Sequence, residues 1–188
     1  MKLKMITTAL VAALSLSLFA EMKVGTVNLM LLVRNHPSYE SNKALLESTD
    51  KDYQKKVEAI KSEGDALQDE GKKLMEQHEN PMLTAKAKAD LEKQVTEIQK
   101  KLMSIEQRYR NEAMRCRQDL QELESRLLKT TTDDLRKRLA KYAEEKGYDF
   151  VFDANAAAFS KPTYDVTDDI LAGMGVDPKN AKGRDEGK

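Results

Sequence analysis

Apolar residues spaced alternately three and four apart run through most of this chain and are interrupted once, at Asn80-Pro81. Such spacing keeps one stripe on one side of a helix and is the mark of a heptad seam. The first seam places Tyr53, Val57, Ile60, Gly64, Leu67, Gly71, Leu74 and His78 in line. The second takes Ala87, Leu91, Val95, Ile98, Leu102, Ile105, Tyr109, Glu112, Cys116, Leu120, Leu123 and Leu127. Pro81 removes a backbone donor and restricts the residue before it, so one helix cannot pass through the break. Two long helices folded back on each other satisfy both facts. A first helix over 38–77 spans about 60 Å, and a second over 83–146 is longer still.

If the fold-back is centred on the break, facing residues have numbers summing to about 162. Leu67 then meets Val95, Ile60 meets Leu102, Val57 meets Ile105, Tyr53 meets Tyr109 and Leu46 meets Cys116. Gly64 and Gly71 fall opposite Ile98 and Leu91, where small residues let the backbones approach at about 1 kcal/mol of helix propensity each. These glycines read either as simple packing or as points where the hairpin bends. Thr130-Thr131-Thr132 followed by Asp133-Asp134 reads as a new N-cap, where the surplus of the second helix would bend away. Residues 38–79 hold 7 basic and 11 acidic side chains, and residues 83–146 hold 16 and 12, so the helices complement each other in charge. The densest basic patch is Arg108, Arg110, Arg115 and Arg117. It reads as a solvated helix flank or as a contact for anionic lipid or an acidic client.

The first 20 residues combine Lys2 and Lys4 with an uncharged apolar run from Met5 to Phe19 that ends at Ala20, the pattern of a cleavable secretory signal peptide. Leu18 suits the position before such a cut poorly, and the alternative is an uncleaved N-terminal anchor. Export would put the chain outside the cytoplasm, where cysteines tend to be paired, yet Cys116 stands alone and allows no intrachain disulfide. It reads as a small buried hydrophobe on the seam or as an intersubunit bridge. The 32 basic and 32 acidic residues balance, and loss of Lys2 and Lys4 leaves a mature charge of −2. That is not the charge of a nucleic-acid binder.

Around the helices lie two short flanks, 21–37 and 147–175, which together with the end of the long helix, about 124–146, make a small β body. The helical arm is 38–123 with its tip near 79–83. Met22 to Val27 reads as a strand, Asn28 as the cap of an apolar turn, Gly147 as a helix stop, and Tyr148 to Phe152 and Ala156 to Ser160 as two more strands. Thr167 would cap a last helix, and 176–188 reads as a disordered tail. So few flanking residues bury too little to stand alone, and neither disulfide nor metal cluster is there to help. Association with other copies is the remaining route, with Val24, Val27, Phe150, Phe152 and Phe159 on the shared strands. The fold class is therefore α+β, mostly helical: a long antiparallel coiled-coil hairpin on a small β body completed by oligomerisation.

The run YDFVFDANAAAF followed by DVTDDIL, and the N-terminal VGTVNLMLLV, closely resemble the two ends of the Skp periplasmic chaperones, also called the OmpH family. The resemblance implies a homotrimer with a β-barrel body and three helical tentacles that enclose unfolded outer-membrane proteins without ATP. Members of that family are often strongly basic and are thought to contact lipopolysaccharide and anionic membranes. This chain is near neutral, so no lipopolysaccharide site is carried onto its residues.

Little in the sequence speaks for a reaction. His36 and His78 have no Cys or His partner at ligand spacing, and there is no phosphate-binding loop or nucleophile elbow, so neither enzyme nor cofactor is expected. The function expected is an ATP-independent holdase. Met82 and Leu83 at the tip would touch clients, while Met75, Met103 and Met114 read as client contacts or as gap-fillers beside the seam. The alternative is a structural coiled-coil or adaptor protein of the envelope that holds no client.

Overall fold

The computed structural model describes residues 22–184. The signal peptide expected at 1–20 and the last four residues of the expected tail lie outside them. The chain is mostly helical with one small sheet. In order it forms β1 (Val24–Val27), α1 (Leu29–Arg34), α2 (Tyr39–His78), α3 (Ala85–Lys146), β2 (Phe150–Asp153) and α4 (Thr167–Gly173), with three short 3-10 turns among the last residues. It divides into a hairpin unit, Glu40–Thr130, and a body unit formed by the residues up to Tyr39 and those from Thr131 onward.

Within the hairpin unit, Asn80 starts the reversal. Its Oδ1 accepts the Met82 N–H at 3.0 Å, and Thr84 Oγ1 accepts the Ala87 N–H at 3.3 Å to cap α3. The second helix therefore begins at Ala85 rather than Leu83. The register differs from the one expected. A Cβ on Gly64 would lie 3.3 Å from Ile105 Cγ2, and one on Gly71 would lie 3.3 Å from Ile98 Cγ2, so facing numbers sum to 169. Leu67 thus has Leu102 across the seam instead of Val95, and Tyr53 has Cys116 instead of Tyr109. The shift is one heptad. In this register Asn80 and Leu83 of the loop share a hollow with Ala87 and Leu91, so loop residues, with Gln77 at the end of α2, lie beside the start of α3. A seven-residue slip returns every seam residue to the seam, which is why apolar pattern alone does not resist it.

A two-helix seam stays partly wet. No residue of α2 is buried. On the facing helix Ile98, Ile105 and Cys116 are buried, the two isoleucines opposite glycines that let their side chains in. The expected bend at Thr130 to Thr132 does not form, and α3 runs unbroken from Ala85 to Lys146. Thr130 Oγ1 donates back to the Arg126 carbonyl at 2.9 Å, a bond that keeps the hydroxyl within the helix it was expected to leave.

In the body unit, β1 and β2 pair in parallel, Val24 against Phe150 through Val27 against Asp153. Thr26 also bridges Asp165, so β1 is flanked on both edges. Asn28 Oδ1 accepts the Leu31 N–H at 2.9 Å and caps α1. Gly147, at φ 69°, closes α3 with the Tyr148 N–H on the Ala143 carbonyl at 2.9 Å, the left-handed turn that aims the chain into β2. The core gathers Val27, Leu31, Leu32, Leu135, Val166, Ile170 and Leu171, with Leu32, Leu135 and Leu171 fully buried.

Three expectations fail here. The strand expected at 156–160 is absent: Asp153 Oδ1 accepts the Asn155 N–H at 3.1 Å and winds the chain into a 3-10 turn at Ala154–Ala156. Phe159 is consequently on no strand and is 80% exposed. Thr167 lies inside the first turn of α4, where its Oγ1 accepts the Asn28 N–H at 2.9 Å. The segment from 176 to 184, expected to be disordered, is folded onto the body, with Ala181 buried in its core.

Candidate functional site

The hairpin seam builds the first surface. Tyr53, Val57, Ile60 and Leu67 on α2 and Val95 and Leu102 on α3 are half-buried, Ile98 and Ile105 are buried, and Tyr109 is exposed. Because Tyr53 and Val57 sit opposite the small Ala113 and Cys116, the helices leave an open groove of about 940 Å³, edged by Asp50, Glu58 and Arg117. Lys56 pairs with Glu112 across the seam beside it. Its hydrogen bond to that carboxylate raises the lysine above its usual value, and the same bond holds Glu112 below the usual carboxylate range. Burial, with Glu112 next, pushes the Cys116 thiol up, away from the thiolate form.

Four methionines of the hairpin are largely exposed. Met82 at the tip is 88% exposed, and Met75, Met103 and Met114 are more than half exposed. Met103 also lines a hollow with Gly64, Leu102 and Ile105, and Met75 one with His78 and Val95, so both lie beside the seam as the gap-filling alternative has them. Leu83 is half-buried in the tip and contributes less outward surface than expected. Met103 and Met114 are eleven residues apart, three helical turns, and so share one face of α3. A flexible thioether adapts to irregular apolar partners at small entropic penalty.

The arginine patch is largely neutralised by its own helices. Arg108 pairs with Glu63 across the seam, Arg110 with Glu106, and Arg115 with Asp119 at 3.8 Å. Arg117 instead lines the groove. These pairs weaken the field that would hold an anionic surface.

On the body, Val27 is buried and Val24 half-buried, whereas Phe150 and Phe152 are each about half exposed. They alternate along β2, so both leave the same face, and their rings stack with centroids 5.8 Å apart. Stacked, half-exposed phenylalanines on a two-stranded sheet are a surface with nothing in one copy to cover it. Sequence reasoning found these residues but missed a polar junction elsewhere in the body. The Ser38 N–H donates to His36 Nδ1 at 3.2 Å, which assigns the ring proton to Nε2, and Nε2 donates to Asp134 Oδ2 at 2.9 Å. Arg138 donates to the same oxygen at 2.7 Å. Arg138 first and His36 second hold the Asp134 carboxyl below its usual range. Histidine ninety-eight residues from its carboxylate leaves no local spacing signal.

Among the described residues no group of His, Cys, Asp and Glu is placed to hold a metal ion, and no helix is long and apolar enough to cross a membrane. A family model described as Outer membrane protein (OmpH-like) matches residues 23–174, from the start of β1 to the end of α4. The chain belongs to the OmpH-like family. That family is one of chaperones rather than enzymes, and membership brings a general role in handling outer-membrane proteins. The long helices with a small sheet are the architecture that OmpH-like membership calls for. A search of curated proteins finds no match to this OmpH-like chain.

Proposed function

We propose that this OmpH-like protein is an ATP-independent holdase of the periplasm, exported by a cleaved signal peptide, which binds unfolded outer-membrane proteins and keeps them from aggregating. The observation that carries the reading is the exposure of Met75, Met82, Met103 and Met114 on a hairpin whose seam residues face each other. Such residues offer many separate adaptable contacts, and a chain held at many points needs none of them to be strong. Phe150 and Phe152 on the body support assembly into a homotrimer that completes the sheet as a shared barrel, with three hairpins sheltering one client. The pairing of Arg108, Arg110 and Arg115 with carboxylates favours apolar over anionic contacts, so lipopolysaccharide or an anionic membrane is at most a secondary partner.

The test is dilution of a urea-unfolded outer-membrane β-barrel protein into buffer with a near-stoichiometric amount of the purified protein and no nucleotide. Suppressed light scattering is expected, and unchanged aggregation would sink the holdase reading in favour of a structural coiled-coil or adaptor. Native mass spectrometry at micromolar concentration checks assembly separately, and a stable monomer contradicts the trimer.

A further inference from the structure

The match to the family stops at residue 174, but the folded body does not. Gly175, at φ 80°, donates to the Ala172 carbonyl at 2.9 Å, and the Val176 N–H reaches the Leu171 carbonyl at 3.0 Å. This left-handed closure turns the chain back along α4, and Val176 packs on the core beside Leu171. Asp177 then accepts the Lys179 N–H at 3.0 Å and winds one 3-10 turn, Pro178–Asn180. Beyond that turn, Ala181 to Arg184 are held by contacts with the body rather than by bonds among themselves alone.

Three separate features of the body receive three chemically different parts of the segment. Ala181, only 7% exposed, joins the cluster of Leu31, Leu32, Ile170 and Leu171, where a methyl fits and a longer side chain would have to displace core atoms. Asn35, just after α1, donates from Nδ2 to the Lys182 carbonyl at 3.1 Å and accepts the Lys182 N–H on Oδ1 at 2.9 Å. One side-chain amide thus reads both main-chain polar groups of one residue, as a neighbouring strand would. Asp168, in the first turn of α4, pairs with the Arg184 guanidinium. A pocket for a small side chain, a two-point grip on the backbone and a carboxylate for a cation are the parts by which grooves recognise extended peptides.

We propose that the surface between α1 and α4 is a peptide-docking groove which this chain fills in cis with its own residues Val176–Arg184. The ligand class is a short peptide bearing a small apolar residue and, three positions on, a basic one, as Ala181 and Arg184 stand here. The tail is a tethered ligand, so its high effective concentration excludes a free peptide of similar sequence. Release of the tail opens the groove.

The experiment uses the full chain. Ala181→Glu places a carboxylate where the core admits only a methyl and evicts the tail, with far-UV circular dichroism confirming the helices. A fluorescein-labelled peptide of residues 176–184 is then titrated and followed by anisotropy. Saturable binding to the Ala181→Glu chain is expected, about tenfold weaker binding to the unmodified chain, and loss when Asn35→Ala is added. A peptide that binds neither chain, or both alike, overturns the proposal. Should Ala181→Glu fail to fold, hydrogen exchange on the unmodified chain decides. The Lys182 amide is expected to exchange at least about tenfold slower than in an unstructured peptide and to lose that protection in Asn35→Ala, and an unprotected Lys182 overturns the proposal equally.

Discussion

The hairpin and the body solve the problem of burial in opposite ways. In the hairpin, a repeated pattern spreads partial burial over dozens of residues, and even its best-buried side chains, Ile98, Ile105 and Cys116, keep a trace of exposure. In the body, a few side chains from distant parts of the sequence, Leu32, Leu135 and Leu171, are withdrawn from water entirely. A repeat tolerates the loss of one contact because its neighbours on either side are the same kind of contact. A small convergent core has no such spare. The difference teaches where this protein is vulnerable and where it can give.

The largest effect expected therefore falls in the body. Leu32→Ala should lower the unfolding free energy by about 3 kcal/mol, against about 2 kcal/mol for Ile105→Ala in the hairpin, measured by urea denaturation at one fixed protomer concentration. A greater loss at Ile105 would break the comparison. Asp134→Asn should take about 1 kcal/mol at neutral pH, a figure discounted because the carboxylate is 42% exposed. A carboxyl lowered in the folded state stabilises above its ordinary value, about 4, and loses that contribution as the pH falls through the lowered one. Thermal melts of the two proteins should accordingly converge below about pH 4, and a constant difference down to strong acid would contradict the role assigned to Asp134.

Smaller still is Gly71→Ala. The gain of about 1 kcal/mol in helix propensity is opposed by a Cβ set 3.3 Å from Ile98 Cγ2, so the net change should stay within about 0.5 kcal/mol. The last test reads geometry rather than stability and sharpens the comparison most. In a Cys116→Ser background, cysteines at Leu67 and Leu102 should join within one subunit on mild oxidation, while cysteines at Leu67 and Val95 should not. The reverse outcome would restore a register summing to about 162.

That register shows how far reading the residues reaches. The alternation of three and four, and the single proline, were sufficient for two helices and a reversal. They were not sufficient for the pairing, because a heptad slip leaves leucine, valine and isoleucine on the seam and changes only how many loop residues lie beside α3. Thr130 to Thr132 misled for a related reason: threonine hydroxyls serve a cap or the preceding carbonyl, and local sequence does not choose between them. Phe150 and Phe152 were legible as strand residues by alternation, whereas Phe159 was not separable from them without knowing that Asp153 closes a turn. The tail from 176 to 184 was read as disordered from its Gly, Lys and Asp content. One alanine in a core pocket and the distant Asn35 order it, and neither leaves a periodic trace.

The sequence by itself determined the helical hairpin, the caps at Asn28 and Gly147, the short flanks and the family, because these depend on contacts between near neighbours or on ordered runs of residues. Only the tertiary structure decided the hairpin register, the parallel pairing of β1 with β2, the His36–Asp134 junction and the docking of the tail. Each of those joins residues far apart in the chain. The free energy that selects them comes from mutual fit, which no single segment carries on its own.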